Sequence, residues 1–113
     1  MVIITTVTSN NERNRNLTGS KAREFLKKPD VFVLDVRTDF EFMTGSLEGA
    51  RLIPVDQLQN QLDKLPQKKD TPILVYCAHG VRSIYAKTIL ENFGYTEVFN
   101  LTGGLAEFLR NGD

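Results

Sequence analysis

Two continuous apolar runs limit the folds open to this chain more than any other feature. Val31-Phe32-Val33-Leu34 and Ile73-Leu74-Val75-Tyr76 show no in–out alternation, the mark of strands covered on both faces. Segments with helical spacing lie around them. Ser20 is placed to cap a helix with Ala22, Phe25 and Leu26 on one side, and Pro29 follows its end. Asp39 to Thr44 reads as a short helix closed by Gly45, and Arg51 to Pro54 as a short strand. Leu58, Leu62 and Leu65 predict a helix stopped by Pro66. From Ser83 a helix is expected to turn Tyr85, Ala86, Ile89, Leu90 and Phe93 inward and Lys87 and Glu91 outward, ending at Gly94. Glu97 to Leu101 predicts a last strand, and Gly104 to Arg110 a last helix with Leu105, Phe108 and Leu109 inward. Strand and helix in alternation define an α/β fold with a small central, mainly parallel β-sheet flanked by helices on both faces.

The chain has 113 residues, one domain's worth. Residues 1–16 read as an arm or edge strand (Val2 to Val7 is β-branched, Asn10 to Asn16 polar) and residues 17–113 as the folded domain. Lys and Arg number 14, as do Asp and Glu, so no charge excess points to nucleic acid or to an anionic membrane. The longest apolar run, Ile73 to Ala78, is far too short to span a bilayer. Met1 to Asn16 lacks the pattern of a secretory signal, so a cytoplasmic, reducing compartment is expected.

One cysteine, Cys77, and one histidine, His79, are present. A single cysteine allows no internal disulfide, and the pair cannot fill a structural zinc site alone. No metal is expected.

Cys77 directly follows the stronger strand and opens Ala78-His79-Gly80-Val81-Arg82-Ser83, which leads into a helix. In parallel sheets, sites form at the carboxyl ends of strands. Backbone N–H groups of such a loop and the helix N-terminus favour an anion at its centre. A thiolate there has a lowered pKa, and Arg82 adds a fixed positive charge. Gly80 supplies a positive φ or room for close approach. Ser83 can cap the helix and turn its hydroxyl to the sulfur. His79 has no neighbour that would orient it as a base. Asp35 and Arg37 end the other buried strand. The carboxylates Asp35, Asp39 and Glu41 are assigned to capping and to an i, i+4 pair between Arg37 and Glu41.

From about Leu17 to Leu109 the chain resembles a single rhodanese domain. Asp35-Val36-Arg37 is similar to that family's D-V-R strand end. Glu41-Phe42 with Gly45-Ser46-Leu47-Glu48-Gly49-Ala50 resembles its E-[YF]-x-x-G-H-I-P-G-A stretch, followed by Ile53-Pro54 and Leu58. Cys77-x-x-Gly80-x-Arg82-Ser83 resembles the active-site loop, and Leu101-Thr102-Gly103-Gly104 the L-x-G-G turn. Ser46, Glu48 and Phe108 depart from the family's usual His, Pro and Trp.

The resemblance implies a rhodanese-like fold and a sulfurtransferase of the thiosulfate-using type. Cys77 would be the nucleophile and carry a persulfide. Arg82 would be the anion contact and Ala78, His79, Gly80, Val81, Arg82 and Ser83 the cradle, with Asp35 and Arg37 in support. The donor would be a small anion such as thiosulfate. The acceptor would be cyanide or a thiol, a thioredoxin-like protein included. No cofactor is implied. A persulfide carrier serving a protein partner is the alternative. A cysteine-dependent phosphatase or arsenate reductase is a further one, but its loop reads C-x5-R, whereas here four residues separate Cys77 from Arg82.

Overall fold

In a computed structural model of the chain, residues 15–110 are described; the strand expected over Val2 to Val7 lies outside them. Eleven elements follow in order: β1 (Asn16–Leu17), α1 (Gly19–Phe25), β2 (Phe32–Asp35), α2 (Asp39–Met43), β3 (Arg51–Leu52), 3-10 turns at Val55–Asn60 and Leu62–Lys64, β4 (Ile73–Tyr76), α3 (Arg82–Asn92), β5 (Val98–Leu101) and α4 (Gly104–Arg110).

The apolar run of β4 lies at the centre of the sheet, in the order β1-β5-β4-β2-β3. Every pairing is parallel: Phe32 to Asp35 lie opposite Ile73 to Tyr76, and Ile73 to Val75 opposite Val98 to Asn100. Parallel neighbours require crossover connections, and these cover both faces. Alternation along β4 sends Ile73, Val75 and Cys77 into the core beneath the 3-10 turns and α3, with Leu34, Leu58, Ala86 and Leu90. Leu74 and Tyr76 point the other way, among Ala22, Phe25, Leu105 and Phe108 of α1 and α4. All four β4 side chains are fully buried, and burying a large apolar side chain is worth roughly 1.5–3 kcal/mol. The strand end that presents the cysteine is therefore anchored on both faces of the sheet.

Several local expectations are corrected. Asn16 belongs to β1, not to a polar arm, and pairs with Asn100. The cap of α1 is Thr18, whose side chain makes no capping bond, and Ser20 lies inside the first turn. Leu58 and Leu62 ride on two 3-10 turns broken at Gln61 instead of an α-helix, and Leu65 follows the second in extended backbone. Spacings of four and three fit either coil, so periodicity could not separate them.

On α3 the inward stripe is Ser83, Ala86, Lys87, Ile89 and Leu90. Tyr85 and Phe93, expected inside, are exposed, and Lys87 is buried. The stripe runs through 83, 86, 87 and 90, so position 87 falls inside whatever its residue type. Its aliphatic stem fills the space while its Nζ donates to Glu91 Oε2 at 2.9 Å. On α4, Leu105 and Phe108 pack inward but Leu109 is exposed.

Candidate active site

The alternation that buries β4 also places Cys77, the next residue, on the α3 side, where the loop closes over it. Its thiol is almost wholly shielded, at 1% exposure. The N–H of Gly80 donates to Sγ at 3.2 Å and the N–H of Ser83 at 3.3 Å. The Ser83 hydroxyl lies at hydrogen-bond distance from the same sulfur, 3.4 Å. Two N–H donors and a hydroxyl that can turn to donate to the thiolate thus converge on one atom, at the first turn of an eleven-residue helix whose unpaired N–H groups favour an anion. Burial pushes the Cys77 thiol pKa up. The Ser83 hydroxyl and the N–H groups of Ser83, Gly80 and His79 outweigh it, so the pKa lies below that of an ordinary thiol.

The loop keeps this shape because a second loop presses on it. Gly80 has φ +94°, and a Cβ there would sit 3.0 Å from the Gly103 N. Gly104, at φ +68°, lies so close that a Cβ would run into the backbone of Ala78 and His79. At the same place the first turn of α4 donates to the loop: Leu105 N–H to the Cys77 carbonyl at 2.8 Å, Ala106 N–H to the Ala78 carbonyl at 3.0 Å. With their carbonyls held from outside, the loop's N–H groups are left facing the sulfur.

Arg82 does not point alone into the loop. Its Nη1 and Nη2 donate to Glu41 Oε1 and Oε2 at 2.9 and 3.0 Å. Glu41 is also the N3 member of a capping box on α2. It accepts from the Thr38 N–H, and its own N–H donates to Thr38 Oγ1. Arg82, with help from Thr38, pulls the Glu41 pKa down to about 2. The expected Arg37–Glu41 pair therefore does not form.

Arg37 pairs instead with Asp35. Its Nε and Nη2 reach Asp35 Oδ1 and Oδ2 at 3.0 and 2.7 Å, and Nη2 also donates to the Gly45 carbonyl at 2.6 Å. Asp35 faces the α1/α4 side, opposite to Cys77, beside Tyr76. The Tyr76 hydroxyl accepts from the Leu47 N–H at 3.0 Å. Burial, then the Asp35 carboxylate, pushes the Tyr76 pKa up. This cluster ties β2 to the segment after α2 and does not touch the thiol.

The predicted loop is thus assembled in part. Gly80 and Ser83 reach the sulfur directly. Ser83 does so from within α3, because the helix begins at Arg82 and its N-cap is Val81, without a side-chain capping bond. His79 and Val81 have exposed side chains, and Ala78 supports through its carbonyl. His79, Gly80, Val81 and Ile84 border a cavity of about 410 Å3 shared with Asn16, Asn100, Thr102 and Gly103. Among the described residues no group of three or more His, Cys, Asp or Glu side chains is placed to hold a metal ion. Sequence reasoning missed Glu41 as the partner of Arg82. The Thr38-x-x-Glu41 spacing marks a helix start, but nothing local connects it to a residue 41 positions on.

A parallel α/β domain with a shielded cysteine at the carboxyl end of its central strand, ringed by backbone N–H groups, defines a class of cysteine-loop proteins. Within that class, the rhodanese-like domain family matches residues 18–111, and the chain belongs to it. A rhodanese-related protein from Thermoplasma volcanium superposes with a TM-score of 0.77 at 31% identity, over 87% of this chain and 93% of that one. A human single-domain sulfurtransferase superposes with a TM-score of 0.77 at 25% identity, over 85% and 96%. Among curated relatives, a tRNA uridine(34) hydroxylase from Erwinia tasmaniensis is 32% identical over 98 residues, 83% of this chain. The chain spans only 28% of that protein's length. Among the described residues, no helix is long and apolar enough to cross a membrane.

Proposed function

We propose that this domain is a sulfurtransferase that moves a sulfane sulfur through a persulfide on Cys77. The observation that carries this reading is the convergence of the Gly80 N–H, the Ser83 N–H and the Ser83 hydroxyl on one buried sulfur. In the first half-reaction the Cys77 thiolate attacks the outer sulfur of a donor such as thiosulfate. The donor's S–S bond breaks, its electron pair leaves with sulfite, and Cys77 keeps the transferred sulfur as a persulfide anion. In the second, cyanide or a thiol attacks that outer sulfur and the thiolate is regenerated. Both steps are covalent catalysis in a ping-pong order. The loop acts as an anion hole: each charge-assisted hydrogen bond contributes roughly 1.5–3 kcal/mol where its geometry is good. The domain's similarity to a human single-domain sulfurtransferase supports the same chemistry. In this scheme the Asp35–Arg37 pair acts only as a brace for the segment that carries Glu41.

Intact mass spectrometry after incubation with thiosulfate or another sulfane donor tests the proposal. Wild-type protein is expected to gain one sulfur atom, and Cys77→Ser none. Loading that persists in Cys77→Ser, or no loading from any sulfane donor, would refute it.

A second reading, a persulfide carrier that hands its sulfur to a protein such as a thioredoxin-like thiol, draws support from the exposed apolar Val81, Ile84 and Tyr85 beside the loop. Rapid turnover with cyanide or a small thiol alone distinguishes the free enzyme from a carrier that loads once and waits.

A further inference from the structure

Among the described residues, three cations on the strands and helices that frame the site are each paired with a carboxylate. Arg37 is paired with Asp35, Lys87 with Glu91, and Arg82 with Glu41. Only the last pair stands at the rim of the loop. Its side chains are 36% and 31% exposed, so an incoming donor meets the pair and not a lone guanidinium. The pair is bidentate, and Glu41 has little freedom to leave it. Its Oε1 also accepts from the Thr38 N–H at 2.9 Å and from the Thr38 hydroxyl at 3.2 Å. A carboxylate fixed in this way by its own helix start is preorganised to neutralise Arg82. The remaining attraction for an anion comes from N–H dipoles, which act at short range on one sulfur. They do little for a second charge several ångströms away.

We infer that Glu41 is a specificity determinant of sulfur loading: by occupying Arg82 it disfavours doubly charged donors and leaves the cradle matched to singly charged ones, the organic persulfides and thiosulfonates. This rests on the sulfurtransferase reading above and refines its donor. With a thiosulfonate the Cys77 thiolate attacks the outer sulfur. The bond from that sulfur to the sulfonyl sulfur breaks, and its electron pair leaves with the sulfinate. No external oxidant or reductant enters.

Thiosulfate and methanethiosulfonate offer the same outer sulfur on a sulfur oxyanion leaving group and differ by one charge. Their second-order rate constants for loading Cys77, followed by intact mass in wild type and Glu41→Gln, give a ratio that cancels changes common to both donors. Gln at N3 preserves the capping box, so α2 is retained. In Glu41→Gln the thiosulfate-to-thiosulfonate ratio is expected to rise about tenfold, and the gain to shrink with added salt. An unchanged or lower ratio overturns the inference. A measurement on the wild type needs no variant: with Arg82 neutralised, thiosulfate loading should vary little with ionic strength. A steep fall with salt, the sign of an unmatched cation, overturns it too. Failure of wild type to load from either donor is a different result, which strikes the sulfurtransferase reading itself.

Discussion

Replacing Ser83 with Ala isolates the hydroxyl among the three groups that meet Cys77 Sγ. Ser83 is fully buried, and its hydroxyl lies 3.4 Å from Cys77 Sγ. The Ser83 and Gly80 N–H groups, at 3.3 and 3.2 Å, remain in the variant. Hydrogen bonds to charged groups are worth roughly 1.5–3 kcal/mol; a long contact to sulfur falls below that range, at about 1 kcal/mol. Such a loss lowers the thiolate population near neutral pH about fivefold. Intrinsic nucleophilicity rises with pKa with a slope of about 0.4–0.5, so the observed alkylation rate falls only about two- to threefold. The cleaner readout is the midpoint of the pH profile for iodoacetamide modification, followed by intact mass. In wild type it should lie below that of an ordinary thiol, because Ser83, Gly80 and His79 together outweigh burial. In Ser83→Ala it should move upward. The fold should survive, since Ser83 makes no capping bond for α3 and Ala is the better helix former. A midpoint unmoved or lowered, in a variant of unchanged thermal stability, would remove the hydroxyl from the account of the thiol.

Three further outcomes are expected. Gly104→Ala places a methyl group into the backbone of Ala78 and His79 at a positive φ. Backbone strain alone costs about 1–3 kcal/mol, and sulfur loading should be lost by more than urea unfolding would account for, because the displaced loop is the one around Cys77. Tyr76→Phe strips the acceptor from the buried Leu47 N–H and should lower stability in urea by about 1–3 kcal/mol while loading persists. The Glu41–Arg82 pair gives a pH signature. Arg82 depresses the Glu41 pKa from 4.5 to about 2, so its stabilisation is fully present above the unfolded value and is lost as pH falls through the folded one. The stability difference between wild type and Glu41→Gln should be constant at neutral pH, at most about 1 kcal/mol for a pair this exposed. It should disappear between pH 4.5 and about 2.

The layered architecture was legible because its signals are local. The unbroken apolar run at Ile73 to Tyr76 demands cover on both faces, and the strand occupies those four residues. Gly45 and Gly94 mark ends that the structure keeps, both at positive φ. The errors fall where local pattern is degenerate. Leu58, Leu62 and Leu65 suit a 3-10 coil as well as an α-helix. Lys87 looked outward by residue type, yet the face that α3 turns to the sheet includes it.

The site divides along the same line. Strand, cysteine, glycine-containing loop and helix start are consecutive in the chain, so Cys77, Gly80 and Ser83 could be named from order alone. The close fit of Gly104 against Ala78 and the donation from Leu105 and Ala106 needed β4 and β5 to lie side by side. The partner of Arg82 needed the fold most. Seen along the chain, Arg82 is a free cation beside a thiol, and Glu41 a capping residue in reach of Arg37. Parallel pairing of β2 with β4 sets both strand ends at one edge of the sheet, and the helices that follow them bring Glu41 onto Arg82. Order along the chain was enough to place a thiol at a strand end, inside a glycine-containing loop that opens a helix. The charge at the rim of the loop follows from tertiary contacts, because it is a sum over residues far apart in the chain.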